Sequence, residues 1–337
     1  MAGVNFDAVY GLPVDIRVVQ RDATTVQIGT EHPRRLLLRD APARAVQVLA
    51  GLNGREPAGE VVARFDGDPL VWQAVLSGLA RAGLLVPGGR EDMPAPRLLG
   101  ERLALSHQHG PATADRLLRA RADAVVVVDG VGAVAGTVSA LLASAGVGHV
   151  HQQDAGRAAA GRGRPVAGPL GSRPAVNAAA WQAAPGVRVH RPAPQLPPSV
   201  VVQADGALPD LGRAAALVTA RIPHLAVWVT QARLVVGPLV LPGRTACLGC
   251  LERARTDADP GWPEVGRAMR DRPVPPAALQ SHAAAGLAAG QVLDLLDGLA
   301  QPDTVNGTLE RSTGSPLVRR RSWQPHPDCG CRLLGEG

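Results

Sequence analysis

Ala124-Val-Val-Val-Val-Asp-Gly130-Val-Gly132-Ala-Val-Ala-Gly136 is the stretch on which the reading of the fold turns. Five small or β-branched apolar residues, Ala124 to Val128, predict a strand buried on both faces. A Gly-x-Gly turn follows. Gly130 can take the positive φ that reverses the chain, and Gly132 leaves the backbone bare where a phosphate would approach. Ala135 stands where the third glycine of such a fingerprint usually lies. A helix is predicted from about Val134 to Ala145, with its free N–H groups and positive dipole end at the turn. After a second strand, Gly148 to Gln152, Asp154 occupies the place expected of a ribose-binding carboxylate, about 20 residues on. Two readings are open at this point: the first unit of a Rossmann-like sheet that holds a nucleotide, or a strand-to-helix turn with no ligand.

Working outward, the alternation continues. Ala155 to Pro174, rich in Gly, Ala, Arg and Pro, predicts a loop. A helix at Ala175 to Ala183 and a strand at Val187 to His190 follow. Ser199 to Gln203 is a second buried strand. Asp205 comes just past it, where open α/β sheets place their ligands. Next come a helix at Leu211 to Ala220, a strand at Leu225 to Val229 and an antiparallel strand from Arg233 to Gly243. A helix at Pro276 to Leu296 and strands near Thr304 to Leu309 and Pro316 to Ser322 complete this half.

The four cysteines fall as Cys247-Leu-Gly-Cys250 and Cys329-Gly-Cys331. Two short knuckles far apart in sequence suit a closed tetrathiolate zinc site, each giving two sulfurs at about 2.3 Å from the metal. The alternatives are two local disulfides, which such tight spacings disfavour, and a redox Cys-x-x-Cys, which leaves the second pair unexplained. A site of four sulfurs has no open coordination position, so its metal is structural.

Upstream, Val14 to Gln20, Thr24 to Gly29 and Arg34 to Leu38 read as short strands. Three helices are predicted after them: Pro42 to Leu52, stopped by Asn53-Gly54; Ala58 to Phe65; and Pro69 to Ala82, capped by Asp68. Three strands and three helices predict a winged-helix-like domain. Residues 1–90 carry ten arginines against nine acids, a net of +1, which is poor for phosphate contact. An apolar helix beside an unpaired strand edge suits an extended peptide better. Leu36, Leu38, Val71, Trp72, Val75 and Leu79 are the candidate peptide contacts.

The chain of 337 residues suggests about two domains. All 35 residues in its Lys+Arg count are arginine, so no P-loop exists and no lysine can neutralise a phosphate. The net charge of +6 is scattered and predicts no nucleic-acid partner. No apolar run is long enough for a bilayer and no signal pattern opens the chain, so a cytoplasmic, soluble protein is expected. The nine histidines lack metalloprotease spacing and read as packed or surface residues.

Residues 14–86, with Leu-Leu-Leu at 36–38, the turn Leu52-Asn-Gly-Arg-Glu-Pro57 and Leu79-Ala-Arg-Ala-Gly-Leu-Leu85, resemble the leader-peptide recognition domain shared with the PqqD chaperone. Residues 115–335 resemble the ThiF/MoeB branch of the ubiquitin-activating superfamily through the Gly-x-Gly turn, Asp154, Asp205 and the two cysteine pairs. That resemblance implies an ATP site at Gly130, Gly132 and Asp154, with magnesium at Asp205. This chain departs from the family pattern after Asp154, which leads into Ala-Gly-Arg-Ala-Ala-Ala, and at Gly171-Ser-Arg173-Pro, where a lysine is expected. Arg157, Arg162, Arg164 or Arg173 would have to supply the missing charge.

There is no fifth cysteine for a thioester. The combination is similar to the partner proteins of azoline-forming (TOMM, bacteriocin) cyclodehydratases. It implies an α/β chain: a winged-helix-like leader-binding domain over 1–90, a linker and lead-in helix over 91–121, and a ThiF-like Rossmann domain with its zinc knuckle over 122–337. The expected role is to present a precursor peptide to a separate YcaO enzyme, without catalysis of its own and with a homodimer compatible. The alternatives are an ATP-dependent adenylyltransferase acting on a peptide or small-protein C-terminus and, more remotely, a winged-helix regulator.

Overall fold

Contacts divide the chain into two units, residues 1–116 and 117–337. The computed structural model describes residues 4–13, 15–32, 34–88, 95–153, 173–206, 208–271 and 275–331. The first unit runs β1 (Val9–Gly11), β2 (Val18–Gln20), β3 (Val26–Ile28), β4 (Leu36–Leu38), α1 (Ala45–Gly51), β5 (Asn53–Pro57), α2 (Ala58–Arg64), α3 (Pro69–Arg81), β6 (Val86–Pro87) and α4 (Leu99–His109). Helix α5 (Pro111–Asp123) crosses the division.

Strands β2, β3 and β4 form an antiparallel sheet with Val18 opposite Ile28 and Gln27 opposite Leu37. The expected strand-and-helix series is present, but a second sheet, β5-β1-β6, joins it. Asn53-Gly54, read as a helix stop, opens β5 and pairs with β1. The segment 91–121 also holds more helix than expected, α4 as well as α5. Asp68 caps α3, its carboxylate accepting from the Leu70 amide at 2.9 Å, with Pro69 in the first turn where its missing N–H has no consequence. Along α3 the residues at i, i+4 and i+7, Trp72, Leu76 and Leu79, are fully buried with Val26, Ile28, Val48 and Leu49.

The second unit runs β7 (Val125–Asp129), α6 (Ala133–Ser144), β8 (His149–Gln153), α7 (Arg173–Ala183), β9 (Val200–Gly206), α8 (Leu211–Thr219), β10 (His224–Val229) and β11 (Arg233–Val240). It continues through α9 (Leu248–Ala258), α10 (Trp262–Asp271), α11 (Ala278–Asp297), β12 (Gly307–Ser312) and β13 (Arg319–Ser322). The strands make one seven-stranded sheet, ordered β13-β12-β11-β10-β9-β7-β8. The run β8-β7-β9-β10 is parallel and the remaining three strands add antiparallel. This is the mixed α/β, Rossmann-like sheet that the alternation predicts.

The valine run is buried as expected. Val126 and Val128 face Val200, Val202, Val134 and Val138 in one core, while Val127, Val201 and Leu217 form another. Helix α11 covers the first with Ala284, Ala285, Ala288, Ala289 and Val292. Two segments differ from expectation. The predicted strand at 187–190 contributes one bridge, His149 to Arg188, and α9 and α10 were not anticipated at all. Among the described residues, no helix is long and apolar enough to cross a membrane.

Candidate functional site

The carboxyl ends of β7, β8 and β9 define the first candidate site. From β7 the chain turns through α6 to β8 on one side. The next crossover, through α7, brings β9 to the other side of β7. Strand order therefore reverses at β7/β9, and the crevice outside that edge is where open sheets bind ligands. Gly130 (φ 135°) and Gly132 (φ 101°) both have backbone conformations that favour glycine. Gly132 is the residue that caps α6, and a Cβ added to it would meet no atom of the described residues within 4 Å. The turn therefore opens onto free space in front of a helix N-terminus.

The turn is held from β8. The Gly130 amide donates to the Gln153 carbonyl at 3.1 Å, and Gln152 Nε2 donates to the Gly130 carbonyl at 2.6 Å. Asp205 lies on β9, near the carboxyl end. The fold thus brings Gly130, Gly132 and Asp205 to one edge of the sheet. Asp154 lies outside the described residues, as do Arg157, Arg162 and Arg164; Arg173 opens α7.

Sequence reasoning missed the charged pair under this turn. Asp129, the last residue of β7, is 1% exposed, and its Oδ2 accepts from Arg213 Nε at 2.7 Å. Burial pushes its carboxyl above the usual carboxylate range, against the pull of Arg213. Asp210 caps α8 by accepting from the Arg213 amide at 3.0 Å, and its carbonyl receives Gln203 Nε2 at 3.4 Å. Asp129 and Gln203 are paired in register. Among the described residues Asp129 Oδ1, Gln203 Oε1 and Gln152 Oε1 are buried without hydrogen-bond partners. Orphaned buried acceptors are uncommon, and three at one sheet edge mark it as a place for a ligand or water.

The four cysteines form the second site. All four are buried and unbridged, and their sulfurs lie within 4.8 Å of one another. Cys247 Sγ is 3.8 Å from Cys250 and 3.6 Å from Cys329, and Cys250 Sγ is 3.5 Å from Cys331. Four sulfurs at about 2.3 Å from a common tetrahedral centre would be about 3.8 Å apart. The cluster could therefore hold a metal ion.

Around it pack Trp228, Trp323, Leu248 and Leu251. Arg255 of α9 lies 4.9 to 5.7 Å from the rings of Trp228, Trp262 and Trp323. Glu252 accepts from Arg255, Trp262 and Arg270, so α9 and α10 brace the knuckle. An apolar cavity of ≈310 Å³ lies beside it, lined by α8 and the cysteine loops.

The candidate peptide contacts divide. Trp72 and Leu79 are fully buried and belong to the core rather than to a surface groove, because the face of α3 that carries 72, 76 and 79 is the one turned inward. Val71 is 44% exposed, and Val75, Leu36 and Leu38 are partly buried. Among the described residues β4 pairs with β3 alone, so its other edge is open. The histidine expectation is met at three sites. His149, His151 and His224 are buried and bond the carbonyls of His190, Val189 and Ile222.

No family model matches the chain, and no curated protein matches it in sequence. Solved structures do. Escherichia coli MccB with ATP is 14% identical with a TM-score of 0.62, the match covering 96% of this chain and 99% of that one. The microcin C7 biosynthetic enzyme MccB in complex with N-formylated MccA matches over the same shares at 14% identity and a TM-score of 0.59. PaaA is 16% identical with a TM-score of 0.62, covering 92% and 99%. The similarity takes in both units, so this chain shares its fold with MccB and PaaA.

Proposed function

We propose that this chain is a ThiF-type modifying protein that uses ATP to activate the C-terminal carboxylate of a ribosomally made peptide, captured by its first unit. The observation that carries this is a fold likeness over 96% of the chain to a microcin biosynthetic enzyme solved with ATP and with a peptide. The site chemistry is compatible with it. The positive-φ turn at the α6 N-terminus offers backbone donors to phosphates. In the reaction a carboxylate oxygen of the peptide would bond the α-phosphorus of ATP and the bond to the β-phosphate oxygen would break, giving an acyl-adenylate and pyrophosphate. No cysteine is needed for that step. Asp205 would hold magnesium. Gly130, Gly132 and Asp154 would hold the nucleotide, and the four cysteines a structural zinc ion that ties the C-terminal segment to α9. Leu36, Leu38, Val71 and Val75, at the exposed or half-buried side of the first unit, would meet the peptide, with Trp72 and Leu79 as the floor beneath them.

The test is peptide-dependent exchange of labelled pyrophosphate into ATP, using candidate precursor peptides encoded near the gene. Exchange that needs both peptide and magnesium is the expected result. A second reading, a non-catalytic subunit that presents a leader to a separate YcaO cyclodehydratase, is favoured by the absence of lysine. It predicts tight leader binding and no exchange.

A further inference from the structure

We infer that Arg213 is the phosphate-contacting cation of the glycine-turn crevice, in place of the lysine this chain does not contain; the assignment rests on the nucleotide reading above. The sequence offers 35 arginines and no lysine, so any charge that meets a phosphate here is a guanidinium. Arg213 is tied by hydrogen bonding to the residue directly before the turn. Its Nε donates to Asp129, and Asp129 is bonded to Gly130. Among the described residues neither Nη group has a hydrogen bond: the Asp129 carboxylate is bonded through Nε, and its Oδ1 is left without a partner.

The side chain is 28% exposed, so it is fixed at one end and open at the other. A structural ion pair that only closed the sheet edge would be expected to bond through two guanidinium nitrogens, as Arg121 does with Asp297 through Nε and Nη2. Arg213 instead presents unused donors in a fixed plane beside a turn whose Gly132 faces open space. That geometry matches a phosphate, which accepts paired hydrogen bonds from a guanidinium. Asp129 offsets part of the charge, so the residue acts as an oriented fork rather than as a free cation. It therefore favours the triphosphate over uncharged ligands by geometry as much as by attraction.

The experiment is calorimetric titration of the full chain with magnesium-ATP and, separately, with adenosine, which carries no phosphate. Arg213→Ala should weaken ATP binding about 10- to 100-fold, the loss of one or two charge-assisted hydrogen bonds, while adenosine binding changes by less than about threefold. A merely structural role would lower both together. Should Arg213→Ala fail to fold because it strands the Asp129 carboxylate, the double variant Asp129→Asn/Arg213→Ala removes that charge and should show the same selective loss. If the unaltered protein binds ATP and these variants bind it equally well, Arg213 is not the contact, although the nucleotide reading stands. Absence of ATP binding by the unaltered protein overturns both.

Discussion

The cysteine cluster and the glycine-turn crevice lie in the same unit and are built on opposite plans. In the first, four buried sulfurs converge on one point, and the surrounding tryptophans, Arg255 and Glu252 satisfy one another. In the second, among the described residues, a positive-φ turn faces open space and three buried acceptors lack partners. A site that completes itself serves the fold. One that leaves donors and acceptors unspent is prepared for something that comes and goes.

The largest expected effect tests the closed half of that comparison. If the cysteines hold zinc, the freshly purified protein contains one zinc per chain by elemental analysis. Chelation or Cys329→Ser then removes a site that exists only in the folded state, with apparent free energies of about 10 to 16 kcal/mol known for small zinc domains. Part of that is local. A fall in Tm of roughly 10 °C or more, with proteolysis concentrated near Arg319 to Trp323, is the expected outcome. A metal-free protein with an unchanged melting curve in chelator would break the comparison at its stronger end.

A second test comes from the other edge of the sheet, because an orphaned atom by itself need not mark a site. Among the described residues His224, at the start of β10, is fully buried with no partner for its Nε2, but it stands at the amino edge of the sheet, and the glycine turn at the carboxyl edge. Burial lowers its pKa from 6.5 to about 4. The unfolded chain therefore binds the proton first as pH falls, and the neutral folded form loses stability through the window from 6.5 down to about 4. The loss is of order 3 kcal/mol by pH 4. His224→Gln should flatten that slope in urea melts at pH 4 to 7 and leave ATP binding unchanged. If it abolished ATP binding, partnerless atoms at both edges would have to be read alike.

How much of this was open to sequence reading depends on how local each feature is. The valine strand, the Gly-x-Gly turn, helix α6 and the Asp68 cap are each set by residues within a few positions, and the structure places them within a residue or two of expectation. The cysteine pairs were legible because ligand spacing is itself a local signal, although their convergence is not. Three features escaped. Strand β5, Asn-Gly-Arg-Glu-Pro, has no alternation and forms because β1 pairs with it. Helix α9 begins inside the Cys-x-x-Cys knuckle, which hid its start. The Asp129–Arg213 pair joins residues 84 positions apart, and in sequence Arg213 is one arginine among 35. On α3 the apolar residues lie on more than one face: Val71 is exposed, while Trp72 and Leu79 are buried. Helical spacing identifies the face that the core takes, and Trp72, Leu76 and Leu79 are on it.

The smallest expected effect is on Asp129, and it sharpens the open half of the comparison. Its carboxyl is held above 3.8 by burial, which outweighs the nearby Arg213 guanidinium. A raised acid keeps its proton longer in the folded state than in the unfolded one. As pH rises from 3.8 through the folded value, the native form must give up a proton that the unfolded chain has already lost, and stability falls across that window. Asp129→Asn removes the titration while keeping an oxygen that can accept from Arg213 Nε. The variant should therefore be no less stable than the unaltered protein at pH 7, and its advantage should vanish below pH 3.8. Chemical denaturation of both proteins across pH 3 to 7 measures the difference directly. A variant clearly less stable at pH 7 would mean that the Arg213 pairing outweighs the desolvation of the carboxylate. Asp129 and Arg213 would then join the cysteine cluster among the self-completing parts of the fold, leaving Gly130, Gly132 and the two orphaned glutamine oxygens as the open site.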